Sequence, residues 1–115
     1  ILGNAINRVD IETGVFQHEN MEYLTGEYEA FIYDGETTGE VTLRISVECF
    51  DPDQCDRRLV KDTVVGRFLR LKPGLASQHS EGKLKIAMNF TRQGGLELHS
   101  QKGRPKRLVD RRKPA

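Results

Sequence analysis

The stretch Lys102-Gly103-Arg104-Pro105-Lys106-Arg107-Leu108-Val109-Asp110-Arg111-Arg112 carries the residue types best suited to chemistry. From Lys102 to Lys113 there are seven Lys or Arg and a single acid, Asp110. Gly103 allows the backbone a left-handed turn. Leu108 and Val109 can pin the segment to a domain, and the cations between them would then be held out on a short loop. Phosphate is the natural target, because cations stabilise the charge that spreads over its oxygens during transfer. A disordered basic end or a nucleic-acid patch would have the same composition, and composition alone leaves both open.

Other polar groups read more plainly. Asp51, Asp53 and Asp56 lack the sixth-position Gly and twelfth-position Glu of a calcium loop, so helix capping accounts for them and no metal site is expected. His18, His79 and His99 are scattered and read as surface or loop residues. Glu27 and Glu29 read as solvated strand carboxylates. Ser80-Glu81-Gly82-Lys83 resembles a lysine-presenting turn, but Lys83 opens an alternating strand and reads as its solvated end. Cys49 and Cys55 form no CxxC. Cys49 takes the inward phase of a strand, and Cys55 is expected in the first turn of a helix as a reduced thiol.

The elements that must hold the basic segment follow from periodicity. Val41, Leu43, Ile45, Val47 and Cys49 alternate with Thr42, Arg44, Ser46 and Glu48, a strand with one apolar face. Glu27–Tyr33 alternates too, with Tyr28, Ala30 and Ile32 on one side and Glu29, Phe31 and Tyr33 on the other. Both sides are partly apolar, so the pattern does not say which faces the core. Asp34-Gly35 and Gly39 bracket a loop that makes these two strands an antiparallel hairpin. Lys83–Phe90 alternates with Leu84, Ile86, Met88 and Phe90 inward. Gly94-Gly95 reads as a turn and Leu96-Glu97-Leu98 as a short strand.

Ile1–Ile6 reads as a first strand. Asn7 then caps a helix through about Asn20, with Ile11, Val15, Phe16 and Val9 on one side; Gly14 weakens it. Asp51-Pro52-Asp53 is a helix start, with Val60, Val64, Phe68 and Leu71 as the buried stripe. Pro73-Gly74 ends that helix, and Leu75–Gly82 follows as a polar loop. The order β-α-β-β-α-β predicts an α+β, ferredoxin-like fold: an antiparallel sheet with two helices on one face, plus a basic C-terminal tail.

The 115 residues are expected to form one domain, residues 1–115. Of them, 37% are hydrophobic and 30% charged, a globular balance. A net charge of +1 supplies no overall field for nucleic acid, and no apolar run is long enough to cross a membrane. With no signal-peptide pattern and two unpaired cysteines, a cytoplasmic location is expected. The chain opens on Ile1-Leu2-Gly3 without an initiator Met, which predicts a piece of a longer protein.

The basic segment is similar to the ending of AMP-forming acid–CoA ligases of the phenylacetate–CoA ligase branch. There, Ser-Glu-Gly-Lys is followed within a few residues by Arg-Val-Ile-Asp-Arg-Arg. Here Ser100-Gln101-Lys102-Gly103-Arg104 precedes Arg107-Leu108-Val109-Asp110-Arg111-Arg112. Gly3 to Glu12 can also be laid without a gap on that family's Gly-Val-Asn-Val-Phe-Pro-Ser-Gln-Ile-Glu, so the resemblance spans nearly the whole chain.

The resemblance implies the mobile C-terminal domain of a two-step ligase. A carboxylic acid attacks ATP to give an acyl-adenylate and pyrophosphate, and the thiol of coenzyme A then displaces AMP. ATP, magnesium and the small carboxylic acid would be held mainly by a large N-terminal domain of the same chain. Neither nucleic acid nor membrane is implied as a partner, and a homodimer is compatible with the reading. With Gly103 on the family glycine, Arg104 takes the place of the catalytic lysine, which departs from the family pattern. Lys102 and Lys106 flank it as substitutes. Gly3 and Asn4 would fall on the coenzyme A side.

A rival reading from another class is a stand-alone βαββαβ module that binds a small ligand or dimerises through its sheet.

Overall fold

The computed structural model describes residues 6–37, 39–96 and 108–112. The first helix, α1 (Arg8–Val15), is capped as the sequence predicts, with the Asp10 backbone N–H donating to Asn7 Oδ1 at 3.1 Å. It is shorter than expected, and its end has a specific cause. Asn20, fully buried after a 3-10 turn at His18–Asn20, donates its amide to the carbonyls of Gly14 and Val15. Those are acceptors that a helix end would otherwise leave unsatisfied. Val9 is 64% exposed and lies off the buried side, contrary to expectation.

Strand β1 (Leu24–Asp34) pairs antiparallel with β2 (Val41–Cys49), the predicted hairpin. β1 is longer than its alternating stretch. Its register slips between Leu24 and Tyr28, at Gly26, where a φ of 99° favours a residue without Cβ. Helix α2 (Arg57–Leu71) begins later than Asp51-Pro52-Asp53 predicts. Asp51 caps a tight turn instead, with its Oδ1 accepting from the Asp53 N–H, and Asp56 takes the N-cap by accepting from the Leu59 N–H at 3.1 Å. Cys55 therefore precedes the helix and does not lie in its first turn. Val60, Val64 and Phe68 are fully buried, whereas Leu71 is 44% exposed.

The expected polar loop after Pro73-Gly74 is a helix, α3 (Pro73–Ser80). Pro73 sits in its first turn, where a missing N–H costs nothing, and Leu75 is buried beneath it. Strand β3 (Leu84–Thr91) then pairs with β2, and β4 (Leu108–Asp110) pairs with β1.

The sheet order is β3-β2-β1-β4. It is mixed and not antiparallel: β2 with β3 and β1 with β4 run parallel. In the split ferredoxin-like plan another strand separates the two joined by the second helical crossover. Here β2 and β3 are direct neighbours across the α2–α3 crossover, so among the described residues the fold is α+β without that split. The expected first strand falls mostly on residues outside those described. Tyr28, Ala30 and Ile32 share the apolar face with Val41, Leu43, Ile45, Val47 and Cys49, and α1, α2 and α3 cover it. That settles the ambiguity of β1, and Leu108 and Val109, expected to pin the basic segment to the domain, lie in β4 at the edge of the described sheet.

Candidate functional site: the second face of the sheet

The face away from the helices is polar yet largely enclosed. Register places Phe31 of β1 opposite Arg44 of β2 and Val109 of β4, and Glu29 opposite Ser46. Phe31 is 0% exposed although it lies on the face away from the described helices. Two guanidinium groups stack on it. The Arg44 Cζ lies 5.0 Å from its ring centre and the Arg111 Cζ 4.1 Å. Arg44 also reaches over Tyr33 at 5.4 Å, and the Arg111 Nη1 donates to the Tyr33 hydroxyl at 3.4 Å. Each such stack contributes about 0.5–2 kcal/mol.

Glu29 and Glu48 are buried on this same face, which corrects the reading of Glu29 as a solvated strand carboxylate. Glu48 has a visible task. Its Oε1 accepts from the Thr25 hydroxyl at 2.8 Å, and its Oε2 accepts from the Gly94 backbone N–H at 3.0 Å. The Gly94-Gly95 turn predicted from sequence is thus tied to the centre of the sheet. Glu48→Ala removes both acceptors and is expected to destabilise the chain by about 1–3 kcal/mol. Hydrogen exchange at the Gly94 amide should quicken at least ~10-fold as its acceptor is lost; unchanged protection would mean that Glu48 does not hold the turn.

The end of the basic segment is anchored as well. Leu108 packs against the core, and the Arg111 N–H donates to the Ile32 carbonyl at 2.7 Å, prolonging the β1–β4 ladder. Asp110 and Arg112 form a fork, with Nη2 on Oδ2 at 2.5 Å and Nε on Oδ1 at 2.9 Å. The hydrogen bond from Arg112 is the main reason the Asp110 carboxyl is held down at about 2. A carboxyl depressed on folding adds stability above its ordinary range near 3.8, and that increment is lost as pH falls toward about 2. The gain is small because the Asp110 carboxylate is exposed to solvent. Arg112→Ala should return the Asp110 titration, followed by carboxylate NMR, to the ordinary range; a midpoint that stays near 2 would sever the pair.

Lys102, Arg104 and Lys106, and Gly3 and Asn4 at the other end, lie outside the described residues. The described flanks of the basic segment are the Glu48-held turn ending near Leu96 and strand β4 from Leu108. Among the expected surface groups, His18 and His79 are exposed, and Lys83 pairs with Glu81 at 3.6 Å. No group of three or more His, Cys, Asp or Glu that could hold a metal occurs among the described residues. No helix among them is long and apolar enough to cross a membrane.

Sequence reading missed two features. One is the charged layer on the second face, whose only sequence signal is the pair of aromatics on the outward phase of β1. The other is the position of Cys55, which precedes α2 and packs against the core that includes Cys49.

Compared with solved structures, the chain is similar to a domain of phenylacetate-coenzyme A ligase from Bacteroides vulgatus ATCC 8482. The TM-score is 0.49 at 19% identity, covering 91% of this chain and 83% of that one. At that score the likeness gives this chain neither a family nor an activity. No family model and no curated protein matches the chain.

Proposed function

We propose that this chain is the mobile C-terminal domain of an ATP-dependent, AMP-forming aryl or acyl acid–CoA ligase. The observation that supports it most directly is the docking of Leu108–Asp110 as a strand on β1, with Leu108 in the core. The motif resemblance needs that segment anchored at its Leu-Val pair, with the basic residues just before it presented to a phosphate. A free basic tail would have no such anchor.

In this reading Arg104 brings positive charge to the phosphates during adenylation, with Lys102 and Lys106 beside it. Gly3 and Asn4 line the coenzyme A side in the thioester-forming pose. A large N-terminal domain of the same chain holds ATP, magnesium and the carboxylic acid. The magnesium ion would screen the phosphate charge, and this chain's own part is to dock and orient a cation there.

The test is acid-dependent exchange of pyrophosphate into ATP by the protein that carries this domain, followed by thioester formation on adding coenzyme A. Exchange with an aryl or acyl acid is the expected result, and no exchange with any acid would overturn the reading. The 115 residues alone are expected to release no pyrophosphate. Acid-dependent release by them would place a nucleotide site within the chain and defeat the proposal equally.

A further inference from the structure

We propose that the outer edge of β3 is an interface between two copies of this chain, joined strand to strand across a twofold axis at Ala87 into one continuous sheet. The inference stands apart from the ligase reading. β3 (Leu84–Thr91) ends the sheet on one side, and among the described residues no strand lies beyond it. An unpaired edge is a template for another strand. The Val41 N–H donates to the Lys83 carbonyl at 2.9 Å, and the parallel ladder to β2 runs on from there. Backbone groups alternate sides along a strand. Lys85, Ala87 and Asn89 therefore turn theirs to β2, and Leu84, Ile86, Met88 and Phe90 turn theirs to the open edge.

Edges are commonly blunted by shortness, bulges, proline or charge. β3 pairs with β2 over its full 8 residues without a register break. It contains no Pro or Gly, and Lys85 is its one charge. By contrast, β4 has 3 residues and ends on Asp110, with Arg111 and Arg112 next. The side chains of β3 add an apolar strip. Ile86, Met88 and Phe90 pack on the core yet stay partly exposed, and Ala87 is exposed on the other face.

The occupant is a second copy because the strand is complementary to itself. Antiparallel pairing about Ala87 sets Leu84 against Phe90 of the other copy, and Ile86 against Met88. All four turn their backbone groups outward, so each such pair can exchange two hydrogen bonds. Every pair on the helix-covered face is then apolar on apolar. On the second face Lys85 meets Asn89, and Ala87 meets its own counterpart, a small residue where opposed side chains come closest. No like charges are opposed. A shift of two residues sets Leu84 against Arg92, or Phe90 against Gly82, and loses an apolar pair. The same patch on both copies makes the contact closed, so association stops at the dimer.

Sedimentation from roughly 5 to 500 μM, the range suited to a small interface, tests the proposal. The mass should climb from the 13.1 kDa of one chain toward twice that value. Over the same range, hydrogen exchange at the Ile86, Met88 and Phe90 amides should slow at least ~3-fold, while the Lys85, Ala87 and Asn89 amides change little. Ala87→Lys sets two cations together at the axis and should weaken the dimer about 5-fold; an equal mixture with Ala87→Glu should associate at least as tightly as wild type. Met88→Pro should keep the circular dichroism of the folded chain and abolish the dimer, since proline is tolerated where the N–H faces an open edge. A 13.1 kDa species at every concentration, a dimer that Ala87→Lys leaves as strong as wild type, or slowed exchange that misses Ile86, Met88 and Phe90 would each overturn the proposal. Should Met88→Pro fail to fold, the Ala87 variants decide the matter.

Discussion

Gly14→Ala is expected to destabilise the chain by about 1–3 kcal/mol, although alanine is the better helix former. α1 crosses α2 so closely that a Cβ on Gly14 would stand 2.7 Å from the Val64 carbonyl oxygen and 3.1 Å from its Cα. Both are backbone atoms of a fully buried position, so neither can swing aside like a flexible side-chain end. The helices would have to separate. Separation would loosen Ile11 and Val15 against Val60 and Val64, and it would strain the amide of Asn20, which donates to Gly14 O and Val15 O. Gly66 provides the internal control. It lies within α2 with nothing within 4 Å of its missing Cβ. Gly66→Ala should therefore stabilise by roughly 0.5–1 kcal/mol through propensity and a less free unfolded chain. Urea unfolding of the two variants beside wild type measures both. If Gly14→Ala matched or exceeded wild-type stability, the close crossing would be wrong.

The same glycine shows where sequence reading is strong and where it stops. A Gly inside a helical pattern registers only as a weakness in the helix, because propensity is local and the reason for this one is a backbone on another element. The apolar faces of β2 and β3 were legible because a strand with one covered face must alternate. Periodicity does not encode which strand edges meet, so the direct parallel pairing of β2 with β3 was not legible. Local signals also compete. Asp51-Pro52-Asp53 has the right chemistry for a helix start, yet Asp56 supplies an equally good cap nearer the buried stripe, and Asp51 is left to close a turn. Pro73-Gly74 stops one helix and starts another, since proline is disfavoured inside a helix and favoured in its first turn.

The charged layer was hidden for a different reason. Glu29 and Glu48 occupy outward phases, and outward carboxylates look alike in sequence whether they meet water or other polar groups. Among the described residues, β4 brings Val109 beside Phe31 and stacks Arg111 on it, while Thr25 and the Gly94 turn meet Glu48. The place of Cys55 depends on where α2 begins. With a start at Asp51, Cys55 would sit in the first turn; with Asp56 as N-cap it precedes the helix.

The largest functional effect is expected at Arg104, and it rests on the proposed ligase role. In the protein that carries this domain, Arg104→Ala should slow acid-dependent ATP–pyrophosphate exchange by roughly 100-fold, the scale of one lost charge-stabilising donor. Thioester formation from a preformed acyl-adenylate should change by less than about 3-fold, because adenylation and thioester formation use different poses of the domain. Arg104→Lys separates charge from shape. A planar fork and a point charge both supply a cation, but only the fork can make two parallel hydrogen bonds to a phosphate. Recovery of most exchange activity by the lysine variant would mean that a single positive charge suffices. Failure of lysine to recover it would mean that this chain uses the fork. Lys102→Ala and Lys106→Ala complete the set, since either taking over the loss expected at Arg104 would move the role by two residues along the sequence. If Arg104→Ala slowed both half-reactions equally, or neither, Arg104 would have no part in adenylation, and the anchored strand β4 would be holding the segment for some other partner.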